Sequence, residues 1–600
     1  MILKTFDRLS DGVYRRAGRS RFFARVSELC ASRESRGERF CKRRRFYRSV
    51  LYWQERGAIF RAKRWFTERL LAARTSDLGV FLLCFGGVGL VGNWFYRGES
   101  PFSWRILLPL ICILLSPILL NSSQSVARNI RRSVLLRRFL FDFCRLSQTH
   151  FVSKKQLRPP KGAFVAAGFL VGLLSVWISP VWITLAFPGA ILLLLLSALP
   201  ELAYCCVFGL LPFLNLAPHP TLLLTAILSV CLLLCLGKTF SGKRQGEWGR
   251  ADGLVLWLCA LFLIGSVASY GSLYEGALRA FLLFASWFPI RVLFSSPLWR
   301  KRAVVALAAS SFVSAIVGVA EYLLGKATLG WVDVSRFGDI GGRVCGFFGN
   351  PNIFAVFLLL TTPLSLGLAI RQKTLFGRLF WGAAFVAQSL CLVLTWSRGA
   401  WLGWMLALVL LLALCRRRTL SWLFAFGTFG FGLVFYFPDN VLRRFQSIGR
   451  VTDSSAHYRA NTWRGVLRML QSHPFGIGSG ESTFRSVFPS YAVSGTETVM
   501  HAHQILLEVA VEIGAVGLIL FLLLLLRFFA STVRFCRGRA EGERRTEGVC
   551  LLSALAGALV MGMFDSLWYH FGLYWLFWSV AALLWGALEE GFHEQKRLRA

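Results

Sequence analysis

The chain has 600 residues, 55% of them hydrophobic and only 16% charged, with a mean hydropathy of +0.56. Soluble domains carry about 45–50% apolar and about 25% charged residues, so this composition excludes an ordinary soluble enzyme. Sixty-eight Lys and Arg stand against 30 Asp and Glu, a formal charge of +38; because these cations cluster between apolar runs, they read as topology signals and headgroup partners, and no nucleic-acid partner is expected.

Residues 1–76 form a basic segment expected on the cytoplasmic side, with no apolar core long enough for a cleavable signal peptide. Its stretch 43–74 interleaves Phe46, Leu51, Trp53, Phe60 and Trp65 with arginines. That mixture suits either a helix lying on an anionic membrane surface or a weakly ordered basic tail. Residues 77–198 hold spans expected near 78–96, 105–121, 163–179 and 181–198, around a basic loop at 128–161. Within 199–588, further spans are expected near 202–216, 219–236, 253–271, 275–297, 303–325, 350–370, 377–396, 400–415, 420–437, 505–526, 549–565 and 570–588. A cytoplasmic tail, 589–600, completes the chain.

A run of about 20 apolar residues crosses the hydrocarbon layer, and a helix satisfies its own backbone there. The fold class expected is therefore all-α: a polytopic integral membrane protein with about sixteen transmembrane helices and one long extracytoplasmic loop, 438–502. Counted from a cytoplasmic N-terminus, the basic clusters at 128–161, 238–250, 300–302, 371–373, 416–418 and 534–545 all fall inside. Both termini then lie in the cytoplasm, as for a multi-pass protein of the cytoplasmic (inner) membrane. The same count puts 326–349, the turn 396–399 and the long loop outside. The fifteen cysteines show no metal or redox spacing and read as small buried hydrophobes.

The long loop carries Arg443, Arg444, Arg450, Arg459, Arg464, Arg468 and Arg485 despite lying outside. Such a density of guanidinium groups calls for a phosphate-bearing ligand. Where the loop enters the next span the chain reads HAHQILLEVAVEIGAVGL from His501, with Glu508 and Glu512 one turn apart inside the membrane. An acid in a span costs about 2.5–3.5 kcal/mol. These two are either functional or paired with arginines of neighbouring helices. Arg279 and Arg291, in one span, read as residues snorkelling to opposite interfaces. The GIGSG run at 476–480 lacks the strand, helix and Lys-Ser/Thr of a phosphate loop and reads as a flexible turn after Pro474.

Four stretches together resemble the O-antigen ligase/polymerase family. One is His503, Gln504, nine residues from Ile505 to Ile513, then Gly514-Ala515-Val516-Gly517. The others are GNPNIF from Gly349, with Asn350 and Asn352; TWSRGAWLG from Thr395; and RANTWRGVLRMLQSHPFGIGSG from Arg459. They occur in the family's order, and the resemblance covers about residues 200–588, leaving 1–199 unmatched. It implies the metal-independent membrane glycosyltransferase fold and transfer of a glycan from a polyprenyl-pyrophosphate-linked donor to a glycan, lipid or protein acceptor. Members include ligases and polymerases, which differ in acceptor only.

On that resemblance, Arg398, Arg459 and Arg464 would grip the departing pyrophosphate, and His503, with His501 as understudy, would take the acceptor's proton. Gln504, Glu508, Gly514, Gly517, Asn350 and Asn352 would support the site. No cofactor is expected, and no metal: the outer loops lack an Asp-x-Asp pair, and His501 and His503 have no third ligand close in sequence. A transporter or flippase of lipid-linked glycans is the alternative. It would show internal repeats and helices broken near the midplane, whereas the polar groups here cluster at the outer face.

Overall fold

A computed structural model describes residues 58–100, 102–146, 148–151, 155–240, 250–268, 272–325, 342–414, 454–493, 495–537 and 542–597. Among these, the regular elements are helices, apart from one isolated bridge between Arg74 and Ser125. Eight helices are long and apolar enough to cross a membrane, and six apolar helices of 10–17 residues accompany them. Together with the helix Pro180–Ala198, these sit at the expected spans except 420–437, which lies outside the described residues. The described residues are all-helical, and the chain is a polytopic membrane protein.

Contacts divide the described residues into two compact units, one ending at Ala203 and the other beginning at Tyr204. The first contains α1 (Ala58–Ala72), α2 (Thr75–Val91), α3 (Trp104–Leu120), α4 (Val126–Arg132), α5 (Val134–Arg137), α6 (Lys161–Trp177) and α7 (Pro180–Ala198). Lipid gives apolar helices no hydrophobic reason to associate, so small residues and close backbone approach must hold them. A Cβ on Gly86 of α2 would lie 2.6 Å from the Pro109 carbonyl of α3, and one on Gly168 of α6 would lie 2.7 Å from the Phe81 carbonyl of α2.

After α8 (Pro200–Leu210), which spans the boundary, the second unit runs α9 (Pro220–Phe240), α10 (Arg250–Ala268), α11 (Leu273–Leu293), α12 (Pro297–Leu323), α13 (Pro351–Arg371), α14 (Leu375–Leu394) and α15 (Arg398–Leu414). It continues with α16 (Ser454–Ser472), α17 (Glu481–Val487), α18 (Ile505–Arg537), α19 (Gly542–Gly562) and α20 (Phe571–Arg597). α13 and α20 form its core, with Phe354, Phe357, Trp575 and Trp578 fully enclosed.

Charged side chains mark the two ends of this unit. At one end Arg300 bonds Glu547 (2.6 Å) and Glu590 (2.7 Å), Arg371 bonds Glu547 (3.2 Å), and Arg291 pairs with Asp252 and Glu589. That network ties α10, α11, α12, α13, α19 and α20 together; burying such charges is tolerable only because each finds its partners. Arg291 therefore does not snorkel as expected. It is buried among carboxylates. The opposite end gathers the starts of α11, α13, α15, α18 and α20. Leu414, whose carbonyl accepts from Arg545, belongs to the ion-pair end, while Tyr458 of α16 packs on His503 at the other.

Candidate active site

α18 begins at Ile505, and the first N–H groups of a helix have no partner within it. Gln504 supplies one, its Oε1 accepting from Leu507 N at 2.5 Å, so the residue after His503 is a helix cap. His503 itself sits at φ +51, in the left-handed region. That conformation costs an L-residue about 1–2 kcal/mol, and two bonds fix it. The His503 N–H donates to His501 Nδ1 (3.3 Å), and the buried Ala502 N–H donates to Glu508 Oε2 (2.7 Å) from the first turn of α18. The imidazoles stand with centroids 4.0 Å apart. Glu508 is thus the clasp of the histidine turn.

His503 Nδ1 lies 3.1 Å from Asp565 Oδ1, in the turn between α19 and α20. A carboxylate only accepts, so this bond puts the ring proton on Nδ1 and leaves Nε2 as the basic nitrogen. Asp565 also accepts from Ser566 N (2.9 Å) and, through Oδ2, from Asn352 Nδ2 (2.9 Å). Burial alone would raise its pKa. The hydrogen bond from His503 and the Arg459 guanidinium outweigh that and hold the carboxyl well below the usual carboxylate range. Burial, with His503 and Arg459 beside it and Asp565 opposing, lowers His501 to about 3. His501 is a neutral donor through Nε2–H, and so a weak base.

The Asn-Pro-Asn start of α13 has a plain physical reading. Asn350 caps the helix, accepting from Asn352 N (2.8 Å) and Ile353 N (3.4 Å); Pro351 occupies the first turn, where its missing N–H costs nothing; Asn352 reaches Asp565. The Asn352 Oδ1 in turn accepts from Arg343 Nη2 (2.7 Å), and Arg343 Nε donates to the Thr395 carbonyl (2.7 Å). The turn that carries Arg398 is thereby joined to the same network. Its Trp396 has φ +53, and a Cβ on Gly399 would meet Phe564 Cβ at 3.3 Å, one residue before Asp565. Arg398 opens α15 there, half-buried.

Arg459, on α16, acts electrostatically on both His501 and Asp565, and its neighbour Tyr458 lies edge-on to His503 at 6.2 Å. Arg464, five residues later and about 140° around the helix, is exposed and donates to Asn461 (3.1 Å). Glu512 lies 2.7 Å from Arg279 Nη2, though neither of its oxygens is aligned for a hydrogen bond with that group. Arg279 also donates to the Trp568 carbonyl (3.1 Å). The expectation that Arg279 snorkels is corrected as well, since it is buried and ion-paired.

The glycine-rich segment is packed against α18. Ile513 and Gly514 interrupt that helix, with Gly514 at φ +71 and ψ −178. Into the break fits the turn after Pro474: Ala515 N donates to Pro474 O (3.0 Å) and Ile477 N to Val511 O (2.7 Å). Gly476, Gly478 and Gly480 have φ of +86, +92 and +116. A Cβ on Gly514 would lie 2.5 Å from the Phe475 carbonyl carbon. Gly517 is buried against Ile513. This clamp fastens the loop bearing Arg459 to the helix that follows His503.

Sequence reasoning missed Asp565, Arg343 and the metal geometry that Asp565 completes. His501, His503 and Asp565 offer ligand atoms all within 4.8 Å of one another, a His₂-carboxylate set of a kind that binds divalent ions. A dication would face the charge of Arg459 and would compete with the His503–Asp565 bond. A family model described as O-antigen ligase matches residues 383–522. The resemblance to that family is borne out over this stretch, which holds three of the four motifs; Asn350 and Asn352 lie just before it. The match supports a glycan-transferring enzyme of the membrane, of a family that generally uses lipid-linked glycan donors and glycan acceptors. No curated protein matches the chain.

Proposed function

We propose that this protein transfers a glycan from a polyprenyl-pyrophosphate carrier to an acceptor hydroxyl at the outer face of the cytoplasmic membrane, without a metal ion. The observation that carries the reading is the His503–Asp565–Asn352 chain, an ionised carboxylate fixing the tautomer of an imidazole at a loop–helix junction. His503 Nε2 takes the proton from the acceptor hydroxyl as its oxygen attacks the anomeric carbon. The bond from that carbon to the phosphate oxygen breaks, and polyprenyl pyrophosphate departs with the electron pair. Arg398 and Arg459 stabilise the charge that develops on it. Arg464, exposed on α16, has the lesser role of drawing the anionic donor to the loop.

Ligase and polymerase share this chemistry and differ in acceptor. Orientation follows from the basic clusters: the ion-pair end is cytoplasmic and the histidine end faces out. An in vitro transfer assay with a polyprenyl-pyrophosphate glycan tests the proposal. Transfer that persists in EDTA supports it, and transfer restored only by added divalent metal contradicts the metal-free mechanism. Membrane-impermeant labelling of Arg398→Cys and His503→Cys should reach both from outside; labelling of one alone would place them on different faces.

A further inference from the structure

Resting on that reading, we propose that Tyr569, Glu481 and His501 form the subsite that seats the acceptor's terminal sugar. The two histidines have different neighbours. His503 is flanked by Tyr458 and Asp565. His501 is packed by Tyr569 instead, the rings tilted by 50° with centroids 5.2 Å apart, and Tyr569 remains 41% exposed. The Tyr569 hydroxyl faces the Glu481 carboxylate and lies 3.8 Å from Met500 Sδ. Glu481 opens α17 with its side chain one-third exposed, and Arg485 one turn on holds it at 2.5 Å. The shelf therefore combines an open aromatic ring, an anchored carboxylate and the imidazole N–H left on His501 Nε2 because its Nδ1 accepts from His503 N.

Those three groups match a sugar ring. Its C–H face packs on the electron-rich face of an aromatic ring. Its hydroxyls donate to a carboxylate in charge-assisted bonds and accept from an imidazole N–H. Glu481 and Arg485 offset each other's charge, so the shelf offers hydrogen bonds to an uncharged partner more than a site for the donor's diphosphate. It lies beside His501, whose ring is in contact with the proposed base, so a sugar seated there presents a hydroxyl towards His503. One glycine fixes Glu481 in place: Gly480 before it has φ +116, and any side chain there would collide with Glu275 of α11.

Saturation-transfer NMR on the purified full-length protein, with a panel of methyl hexosides and methyl N-acetylhexosaminides as probes, reads this directly. At least one glycoside should give a signal with wild type, with Tyr569→Phe and with Arg398→Ala. The signal should vanish in Tyr569→Ala and fall several-fold in Glu481→Gln. A signal unchanged in both variants, or no signal from any glycoside on wild type, overturns the assignment. Failure of the catalytic reading looks different: His503→Ala would then still transfer glycan, whatever the sugar signal does.

Discussion

Asp565 binds two partners that are far apart in sequence, accepting from His503 at 3.1 Å through one oxygen and from Asn352 at 2.9 Å through the other. One carboxylate thus joins the turn before α18 to the start of α13. Asp565→Asn keeps the shape but can donate to His503, which favours the wrong tautomer. In a serine protease triad the equivalent change lowers kcat about 10⁴-fold, so a loss of about 10²–10⁴-fold in transfer is expected here, with unfolding temperature little changed. Asn352→Ala should slow transfer less, and the double variant should be no worse than Asp565→Asn alone. Additive losses in steady-state kinetics would show the two act separately.

Glu508 is expected to work through its oxygen, because what it holds is the Ala502 N–H. Glu508→Gln retains an acceptor and should keep transfer within a few-fold of wild type. Glu508→Ala leaves a buried donor unpaired, at about 1–3 kcal/mol, and frees the strained turn at His503. It should lose both thermal stability and most of its transfer rate. Equal loss in the two variants would point to the charge of Glu508 as the needed property.

Gly514 occupies a conformation that L side chains rarely adopt, against the Phe475 backbone. Gly514→Ala must strain or displace the 474–477 turn, costing about 1–3 kcal/mol, and Gly514→Val more. The expected signature is a lower unfolding temperature with faster proteolysis in 454–493. Unchanged proteolysis there would mean that the break in α18 does not anchor the loop.

The pH dependence of stability has a definite sign. His501 is lowered to about 3 and His570 to about 4, both chiefly by burial, whereas an unfolded histidine titrates near 6.5. Below about pH 6.5 the unfolded chain binds protons that the folded chain refuses, so stability falls as pH drops towards 4, by up to about 1.4 kcal/mol per pH unit for each histidine. Unfolding temperatures from pH 8 to pH 4 should show a plateau and then this decline, with a shallower decline in His501→Asn. A flat profile would mean that neither ring is held neutral.

Much of the architecture was legible because lipid demands long apolar helices, and helices formed at each expected span that the described residues cover. Motif meaning was less accessible. Gln504 as a cap and Asn350-Pro351-Asn352 as cap, first turn and reach follow from helix-end chemistry once the helix start is located. Asp565 was hidden because it stands at the last position of the span drawn over 549–565, where an acid reads as an interfacial end. Its partners are 62 and 213 residues away, distances at which spacing carries no signal. Arg279 and Arg291 misled because long basic side chains near span ends usually reach for water; here carboxylates from α10, α18 and α20 reach them first.

Proton removal by His503 is the step on which transfer depends. Its most direct test is single-turnover transfer from a polyprenyl-pyrophosphate glycan by purified His503→Ala, with folding verified by its unfolding temperature. Transfer should fall by at least about 10²-fold in a folded, donor-binding protein. Transfer near the wild-type rate would contradict it.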